Sequence, residues 1–229
     1  MKRQCSLLLL AAVVGLAAPC GRLFADAKPT DAKPAAVQVT VDVSEAPDLK
    51  EWGDKAKALV EKWQPIIAGL LKSDGFTPPS EVKIVFKKDM KGVAYTSGNV
   101  ITIAAKWVQR HPDDFGMVAH ELTHVVQSYR GAPRDAGWVV EGMADYVRFF
   151  KYEPDADLGP VNTGNAGYRD GYRTAAKFLF WIEKTHDKDI IAQLNQALRD
   201  SEYKESLFKK ATGKALDDLW DEFVDSEKK

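Results

Sequence analysis

Cysteine is almost absent from this sequence, and its two copies lie close to one end. Cys5 and Cys20 are the only cysteines among 229 residues, and both fall in a segment that we predict below to be removed. The remaining chain would then have no disulfide, no reactive thiolate and no cysteine-rich zinc site. Histidine is scarce as well, with four copies. Any histidine-dependent chemistry therefore has few candidate residues.

An excess of positive charge is also missing. The chain has 32 basic and 33 acidic residues, and without Lys2, Arg3 and Arg22 the 32 basic residues become 29, a net charge of −4. Domains that bind nucleic acid usually carry a basic surface. We therefore expect no nucleic-acid partner.

The sequence has one long apolar run near its start, and this run is too short to span a bilayer comfortably. It covers residues 7–18, follows Lys2 and Arg3, and precedes small residues around Ala25. A membrane-spanning helix needs about 20 apolar residues, whereas this pattern is typical of an export signal. We predict a signal peptide at residues 1–25, and hence a secreted or periplasmic protein without membrane attachment after cleavage.

Three alternatives to this interpretation stay open. Cleavage after Ala27 fits the same pattern, and the mature protein could also keep the segment as a membrane anchor. A lipid anchor on Cys20 is less favoured. Pro19 occupies the position before this cysteine, where such signals use a small and unconstrained residue.

The next segment, residues 26–36, repeats Asp-Ala-Lys-Pro twice. A stretch so rich in proline, alanine and charge cannot bury enough apolar surface to order itself, so we predict a disordered linker. Residues 37–229 are predicted to form one domain. Hydrophobic residues make up 45% of the whole sequence, which is enough for a packed core.

Hydrophobic periodicity divides this domain into early strands and late helices. Alternation predicts strands at 37–43, 82–86, 93–96 and 100–104, the last two as a hairpin through Ser97, Gly98 and Asn99. Helical spacing predicts helices at 45–71, from Pro112 onward, at 138–150, and around 168–182, 190–198 and 216–224. Pro65 is expected to kink or end the first helix. The segregation predicts an α+β fold, with a small N-terminal lobe containing a mixed sheet and a C-terminal helical lobe.

The most informative motif is His120-Glu121-Leu122-Thr123-His124, in the helix expected between these two lobes. Residues four apart on a helix lie one above the other, so His120 and His124 would direct two ring nitrogens at one point. Glu121 lies about 100° further round the same turn, within reach of a water molecule at that point. The pattern predicts a divalent metal site with a general base beside it.

Two imidazoles do not complete a catalytic zinc site, which uses three protein ligands and leaves the fourth position open. The metzincin arrangement needs a histidine at position 130, where this chain has Arg130. His111 and His186 are possible third ligands that no pattern supports. Glu141 lies 17 residues after His124, near the start of the next helix, and is a further candidate.

The predicted helix at 138–150 has two distinct faces. Its apolar face contains Val139, Met143, Tyr146 and Phe150, and its opposite face contains Trp138, Glu141, Asp145 and Arg148. A polar helix face is often simply solvated. Periodicity alone therefore leaves open whether Glu141 and Asp145 face a metal or water.

Three sequence blocks resemble the plant basic secretory protein family of peptidases, which also occurs in bacteria. They are HELTHVVQ at 120–127, EGMADYVR at 141–148 and GYRTAAKFL at 171–179, and the similarity extends from about residue 37 to residue 224. The placement of Glu141 and Asp145 after the first block also resembles the Glu-zincin class of metallopeptidases. One departure is that this chain is mildly acidic rather than basic.

The resemblance implies a zincin-like metallopeptidase fold, Zn²⁺ as the cofactor, and a peptide or protein substrate. It also implies His120, His124 and Glu141 as the zinc ligands and Glu121 as the general base. We predict that Asp145 hydrogen-bonds the far nitrogen of one ligand imidazole and fixes its tautomer. The alternative for Asp145 is a solvated position on the helix surface, and the sequence does not exclude a divalent metal other than zinc.

Hydrolysis of an amide also needs a hydrogen-bond donor for the oxyanion, and a tyrosine hydroxyl can serve. Tyr172, in the third block, is predicted to supply it. Because Tyr172 also lies on an apolar helix face, a core tyrosine is an equal alternative, and Tyr168 or Tyr146 could take the same role. The predicted strand at 93–96 is a place where an extended peptide could add to the sheet edge.

Three functions fit these observations. The leading prediction is an exported zinc metallopeptidase, expected to be monomeric, that acts on peptide or protein substrates. The first alternative is a catalytically inactive, zinc-containing binding protein of the cell envelope. The second is a zinc hydrolase acting on a non-peptide amide or a cell-wall component.

Overall fold

The computed structural model describes residues 36–161 and 167–228. The predicted signal peptide lies outside these residues, and so does the predicted linker except for residue 36. Within the described part of the chain, no helix is both long and apolar enough to cross a membrane.

A four-stranded mixed sheet occupies the N-terminal half of the domain. Its strands are β1 (Gln38–Asp42), β2 (Glu81–Lys87), β3 (Ala94–Ser97) and β4 (Val100–Ala104). The strand order is β1-β2-β4-β3, with β1, β2 and β4 parallel and β3 antiparallel to β4. All four strands were predicted, to within two residues at their ends. The antiparallel strand β3 forms one edge of the sheet.

The hairpin between β3 and β4 has the turn that its sequence predicts. Ser97 pairs with Val100, so Gly98 and Asn99 form a two-residue loop. The φ angle of Gly98 is +60°, a conformation that glycine adopts without steric cost. This short connection keeps β3 in register with β4.

Eight α-helices lie in the described residues. They are α1 (Lys50–Leu70), α2 (Ala105–Arg110), α3 (Gly116–Gln127), α4 (Gly137–Val147), α5 (Tyr172–Thr185), α6 (Ile190–Arg199), α7 (Ser206–Thr212) and α8 (Leu216–Glu227). The four-stranded sheet and the helices that dominate the C-terminal half confirm that the domain mixes α and β structure, as the sequence predicted. Helices α2 and α7 were not predicted, because each is too short for helical periodicity to show.

Pro65 does not end α1, so that part of the prediction is wrong. The helix continues through Pro65 to Leu70. Proline inside a helix costs about 3 kcal/mol. The turns on both sides bury apolar side chains completely, with Val60 and Ile67 at 0% exposure, and burying one such side chain contributes roughly 1.5–3 kcal/mol. Core packing therefore outweighs the cost of the proline.

Pro112 does not begin the helix that carries the two histidines, as the sequence had suggested. It lies between α2 and α3, where its carbonyl oxygen accepts a hydrogen bond from Trp52 Nε1 at 2.7 Å. The N-terminus of α3 is instead satisfied by Asp114, whose Oδ1 accepts from the backbone N–H of Met117 at 3.3 Å. A carboxylate at this end also complements the helix dipole.

Helix α4 is shorter than predicted. It ends at Val147, and the chain continues as a π-helical turn, Arg148–Tyr152. In this turn, the Arg148 guanidinium contacts Asp114 Oδ1 at 2.7 Å and Glu153 Oε2 at 3.2 Å. These ion pairs tie the end of α4 to the start of α3.

Helix α3 contacts the sheet through β3 and β4, and it also packs against α1 and α4. It is consequently buried on nearly all sides, including Val118, Leu122 and Val125, which are fully buried. Met117 and Gln127, which the sequence placed beside the histidines and away from the core, are buried too, at 3% and 2% exposure. The helix is held on both sides, so its histidines have little freedom to move.

Helices α4 and α5 approach each other closely at Gly142. A Cβ atom added there would lie 2.8 Å from the Cβ of Ala175 and 3.1 Å from Cδ1 of Leu179. Glu141 is the neighbour of Gly142 on α4, and Tyr172 begins α5 one turn before Ala175. The absence of a side chain at position 142 therefore lets these two functional candidates come near each other.

This contact predicts the effect of substituting Gly142. We expect Gly142→Ala to lower the free energy of unfolding by about 1–2 kcal/mol, since overpacking costs about 1–3 kcal/mol and better helix propensity returns up to about 1 kcal/mol. Urea denaturation would measure the change.

Gly69 provides a matched control. It lies in α1, and a Cβ atom there would meet nothing within 4 Å. Gly69→Ala should raise the free energy of unfolding, by up to about 1 kcal/mol. Equal and favourable effects of the two substitutions would contradict the close packing of α4 on α5.

Candidate metal centre

The two histidines of the sequence motif converge as their helical spacing predicts. Nε2 of His120 lies 3.2 Å from Nε2 of His124, and the two rings are nearly perpendicular, with an interplanar angle of 83°. Both side chains are largely buried, at 12% and 17% exposure. Helix α3 therefore directs two imidazole nitrogens at one small volume beside the surface.

Glu141, at the start of the second turn of α4, reaches the same volume. Its Oε2 atom lies 3.3 Å from Nε2 of His120 and 3.4 Å from Nε2 of His124. These three side chains form the group of potential metal ligands found among the described residues. They are close enough to hold one metal ion.

The distances among the three ligand atoms suit a tetrahedral ion. Two ligands at about 2.05 Å from zinc, separated by the tetrahedral angle, stand about 3.3–3.4 Å apart. The three separations in the structure are 3.2, 3.3 and 3.4 Å. The residues therefore fit zinc without rearrangement, and a fourth ligand position would remain.

The second nitrogen of each imidazole has an acceptor of its own. Nδ1 of His120 lies 2.7 Å from Oδ1 of Asp145, and Nδ1 of His124 lies 2.7 Å from Oε1 of Gln127. The amide of Gln127 is itself oriented, because its Nε2 donates to the carbonyl oxygen of Val140 at 2.9 Å. Each Nδ1–H thus donates outward, which leaves the Nε2 lone pairs facing the centre. Two lone pairs and a carboxylate oxygen converge there, an arrangement that requires a positive charge.

In the protein without a metal, a proton can supply that charge. Burial alone would lower the pKa of His120, but hydrogen bonds from its ring to Asp145 and Glu141 overcome that effect and raise the pKa to about 9. Burial would conversely raise the pKa of Glu141, yet its hydrogen bonds to the two histidines lower it to about 2. A proton on His120 and a metal ion therefore compete for the same place.

Glu121 is buried at 7% exposure and is held by a residue of the sheet. The Oγ1 atom of Thr96, on β3, lies 2.8 Å from Oε2 of Glu121 and 2.9 Å from its backbone carbonyl oxygen. Glu121 lines the cavities on both sides of the metal centre. The carboxylate thus stands beside the centre without being one of its ligands.

Tyr172 lies at the metal centre, and the alternative of a core tyrosine is wrong. Its side chain is among the most exposed large hydrophobic ones, at 55%, and its ring stacks on that of His120 with centroids 6.1 Å apart. The charge of Glu141, followed by burial and the charges of Asp145 and Glu121, raises the pKa of Tyr172. Its hydroxyl therefore keeps its proton at neutral pH and can donate a hydrogen bond.

The other tyrosines considered as oxyanion donors lie elsewhere. The hydroxyl of Tyr146 donates to Glu183 Oε1 at 2.6 Å, in a buried position between α4 and α5. Tyr168 packs against Trp138 and Trp220, and its hydroxyl donates to Asp217 at 3.2 Å. Neither tyrosine replaces Tyr172.

The remaining histidines are also remote from the group of metal ligands. His111 stacks on Trp107 with ring centroids 4.1 Å apart, and Nε2 of His186 lies 3.3 Å from Oε2 of Glu222 on α8. His111 and His186 therefore do not contribute a third ligand to this group. Glu141 is the residue that the fold brings there.

The polar face predicted for α4 does not have a single environment. Glu141 and Asp145 face the two histidines, whereas Arg148 forms the ion pairs described above. Trp138 lies in the core at 7% exposure, stacked near Phe208 with ring centroids 5.7 Å apart. The sequence had placed Trp138 on the face opposite the apolar one, but its large apolar ring is buried in the core.

A cleft extends on both sides of the metal centre. One cavity of about 740 Å³ lies towards Trp107, Phe149 and Arg173, and another of about 580 Å³ lies towards Tyr129 and Arg130. Both cavities are lined by Ala94 of β3 and by His120, Glu121 and Tyr172. The edge strand, the metal ligands and the tyrosine therefore border one continuous surface.

Arg199, which sequence analysis did not single out, supports the C-terminal end of α3. Its guanidinium donates to the backbone carbonyl oxygens of Gln127 at 2.9 Å and of Val126 at 3.4 Å. The last carbonyl groups of a helix have no partner within the helix, and a cation there also complements its dipole. Arg199 thus fixes the turn of α3 that follows His124.

The raised pKa of His120 predicts a pH-dependent metal affinity. A metal ligand must be deprotonated, so binding at pH 7 should release the proton of His120, and the affinity should rise roughly tenfold per pH unit until about pH 9. Competition titrations with a chromogenic zinc chelator, repeated between pH 6 and pH 9.5, would measure this slope.

His186→Gln is the matched control, because His186 pairs with Glu222 away from the centre. It should leave the slope unchanged.

The raised pKa of His120 also affects the stability of the protein without metal. The contribution of His120 to the free energy of unfolding is complete below pH 6.5 and is lost as the pH rises through about 9. An affinity for zinc that does not change between pH 6 and pH 9 would contradict the protonation of His120.

Comparison with known proteins agrees with the site. A family model described as peptidase of plants and bacteria matches residues 48–223, a span that contains every residue of the metal centre. No curated protein matches the chain. The match covers most of the described domain, as the resemblance of its three blocks had suggested. The chain belongs to the basic secretory protein family, the peptidases of plants and bacteria.

Proposed function

We propose that this protein is an exported zinc metallopeptidase that cleaves peptide bonds by attack of water, with Glu121 as the general base. The observation that carries this proposal is the convergence of two imidazole nitrogens and one carboxylate oxygen, 3.2–3.4 Å apart, beside a buried glutamate. Export rests on the signal pattern of residues 1–25 alone.

His120, His124 and Glu141 would hold the metal, and this set of two nitrogens and one oxygen is one that zinc commonly takes in hydrolases. Zinc, when bound, supplies a positive charge that polarises the scissile carbonyl and makes a water molecule acidic at neutral pH. Asp145 and Gln127 keep the two imidazoles in the tautomer that binding requires.

Two further side chains would act on the reacting atoms. Glu121 accepts the proton of the attacking water and passes it to the leaving amine, a role worth roughly 100- to 10,000-fold in rate. Tyr172 donates its hydroxyl proton in a hydrogen bond to the oxygen of the former carbonyl, which becomes negatively charged. The raised pKa of Tyr172 and its place in both cavities support this role.

The substrate would lie extended along β3. This edge strand borders the metal centre, and the cavities continue on both sides of it, so both flanks of a scissile bond have room. Backbone groups on the edge of a sheet pair readily with an added strand. A mixed sheet with an antiparallel edge strand beside the histidine helix also supports a zincin-like fold. We therefore propose cleavage within polypeptides.

Replacing Glu121 by glutamine tests this mechanism. Glutamine keeps the size of the side chain and a hydrogen-bonding partner for Thr96, but it cannot accept the proton of water. We expect Glu121→Gln to lower kcat/KM by at least about 100-fold while zinc content stays at one ion per chain. Digestion of a proteome-derived peptide library, with metal analysis of the same samples, would measure both.

Glu222→Gln is a matched control, since Glu222 lies on α8 and pairs with His186 and Lys214. It should cleave the library at the same rate as the original protein. Full hydrolysis by Glu121→Gln would rule out the proposed mechanism. If the original protein cleaves no peptide, parallel digestion of peptidoglycan separates a cell-wall hydrolase from an inactive binding protein.

A further inference from the structure

Thr96 contacts the proposed general base, Glu121, but has no role in the mechanism proposed above. It lies on the edge strand β3, and its hydroxyl touches Glu121 twice: at the carboxylate atom Oε2, 2.8 Å away, and at the backbone carbonyl oxygen, 2.9 Å away. The two residues are 25 positions apart in sequence. This contact joins the sheet edge to the histidine helix at the position of the general base.

A threonine hydroxyl has one hydrogen and therefore donates one of these two bonds at a time. An ionised carboxylate can only accept, so with Glu121 ionised the hydrogen must point at Oε2 to avoid two facing lone pairs. The backbone carbonyl then loses only a neutral hydrogen bond, and hydrogen bonds to charged groups are the stronger ones. The contact thus holds the carboxylate of Glu121 by one of its two oxygens.

The same contact decides which carboxylate oxygen can exchange a proton. Oε2 is occupied by Thr96, while Oε1 makes no hydrogen bond to any other described residue. Glu121 lines both cavities of the cleft, so Oε1 is the atom left to meet a water molecule there. Holding one oxygen also fixes the rotation of the whole carboxylate group.

The sheet makes Thr96 a rigid support. It pairs with Ile101 of β4, which is fully buried, and the next strand pairing, Ser97 with Val100, closes the tight hairpin. Along β3, Ala94 and Thr96 are half-buried while Tyr95 is exposed at 53%, as the alternation of a strand requires. The hydroxyl of Thr96 consequently has a fixed position relative to α3.

We propose that Thr96 is a positioning residue for the general base: its hydroxyl holds Oε2 of Glu121, fixes the rotation of the carboxylate and leaves Oε1 to take the proton from water. This inference rests on the proposed function, which it deepens. Thr96 also sits on the strand that would pair with the substrate. Substrate binding along β3 would therefore restrain the same residue that aligns the base.

The test compares zinc-loaded Thr96→Val with the original protein. Valine keeps the shape of threonine and its preference for strands but has no hydroxyl. We expect kcat/KM at neutral pH to fall about tenfold, a loss typical of removing a group that orients a reacting one. The loss should fall on kcat and leave KM unchanged, because the backbone of β3 that would pair with the substrate stays the same.

A second readout does not depend on activity. A crystal structure of zinc-loaded Thr96→Val, compared with that of the original protein, would show the orientation of the Glu121 carboxylate directly. We expect the carboxylate to have one orientation in the original protein, and to be rotated or spread over several orientations in Thr96→Val. Thr96→Ser, which keeps the hydroxyl, should restore both the single orientation and most of the rate.

Thr102→Val is the matched control on the neighbouring strand β4. Thr102 is buried at 6% exposure and pairs with Tyr95, so its replacement tests the effect of valine in the sheet without touching Glu121. It should leave both readouts unchanged. Thr96→Ala gives a second variant without the hydroxyl in case valine disturbs the strand.

The outcomes separate this inference from the proposed function. An unchanged orientation of the Glu121 carboxylate in both Thr96→Val and Thr96→Ala overturns the role of Thr96, whatever the activity. Absence of peptide hydrolysis by the original protein overturns the proposed function, while the orientation of the carboxylate still decides whether Thr96 positions Glu121.

Discussion

The site depends on three ligand atoms that lie close together and would repel one another without a positive charge between them. Nε2 of His120, Nε2 of His124 and Oε2 of Glu141 stand 3.2–3.4 Å apart, and outward hydrogen bonds to Asp145 and Gln127 turn both imidazole lone pairs inward. A proton can occupy this place, as the raised pKa of His120 indicates. A divalent ion satisfies all three atoms at once, and the distances suit tetrahedral zinc.

The rest of the fold keeps these atoms together by fixing two helices. Helix α3 packs between the sheet and α4, with Asp114 at its start and Arg199 at its end. Gly142 lets α4 approach α5, which brings Glu141 near Tyr172. The sheet contributes Thr96 from its edge strand. The residues of the site therefore come from α3, α4, α5 and β3, and the core packing of the whole domain sets the distances between these elements.

Sequence patterns predicted the parts of this site that depend on local spacing. The helical repeat placed His120, Glu121 and His124 on one turn, and alternation located all four strands. The family resemblance, confirmed over residues 48–223, supplied Glu141 as the third ligand, which periodicity alone had left open. Gln127 had a local signal too, since residues three apart face each other on a helix, but its role emerged only from its contacts.

Thr96 and Arg199 contact residues that are far away in the sequence, and no local sequence pattern predicts such contacts. Core packing also outweighed local sequence signals. Helix α1 continues through Pro65, and Trp138 is buried although the sequence placed it on the polar face of α4.

The central claim is that Glu141 and the two histidines together bind one metal ion. X-ray absorption spectroscopy at the zinc edge tests this claim most directly. With one equivalent of zinc, the spectrum should show two imidazoles among nitrogen and oxygen ligands at about 2.0–2.1 Å. Glu141→Ala should lose one oxygen ligand and weaken zinc binding. A spectrum identical in the original protein and Glu141→Ala, or a protein that retains no zinc, would contradict the account.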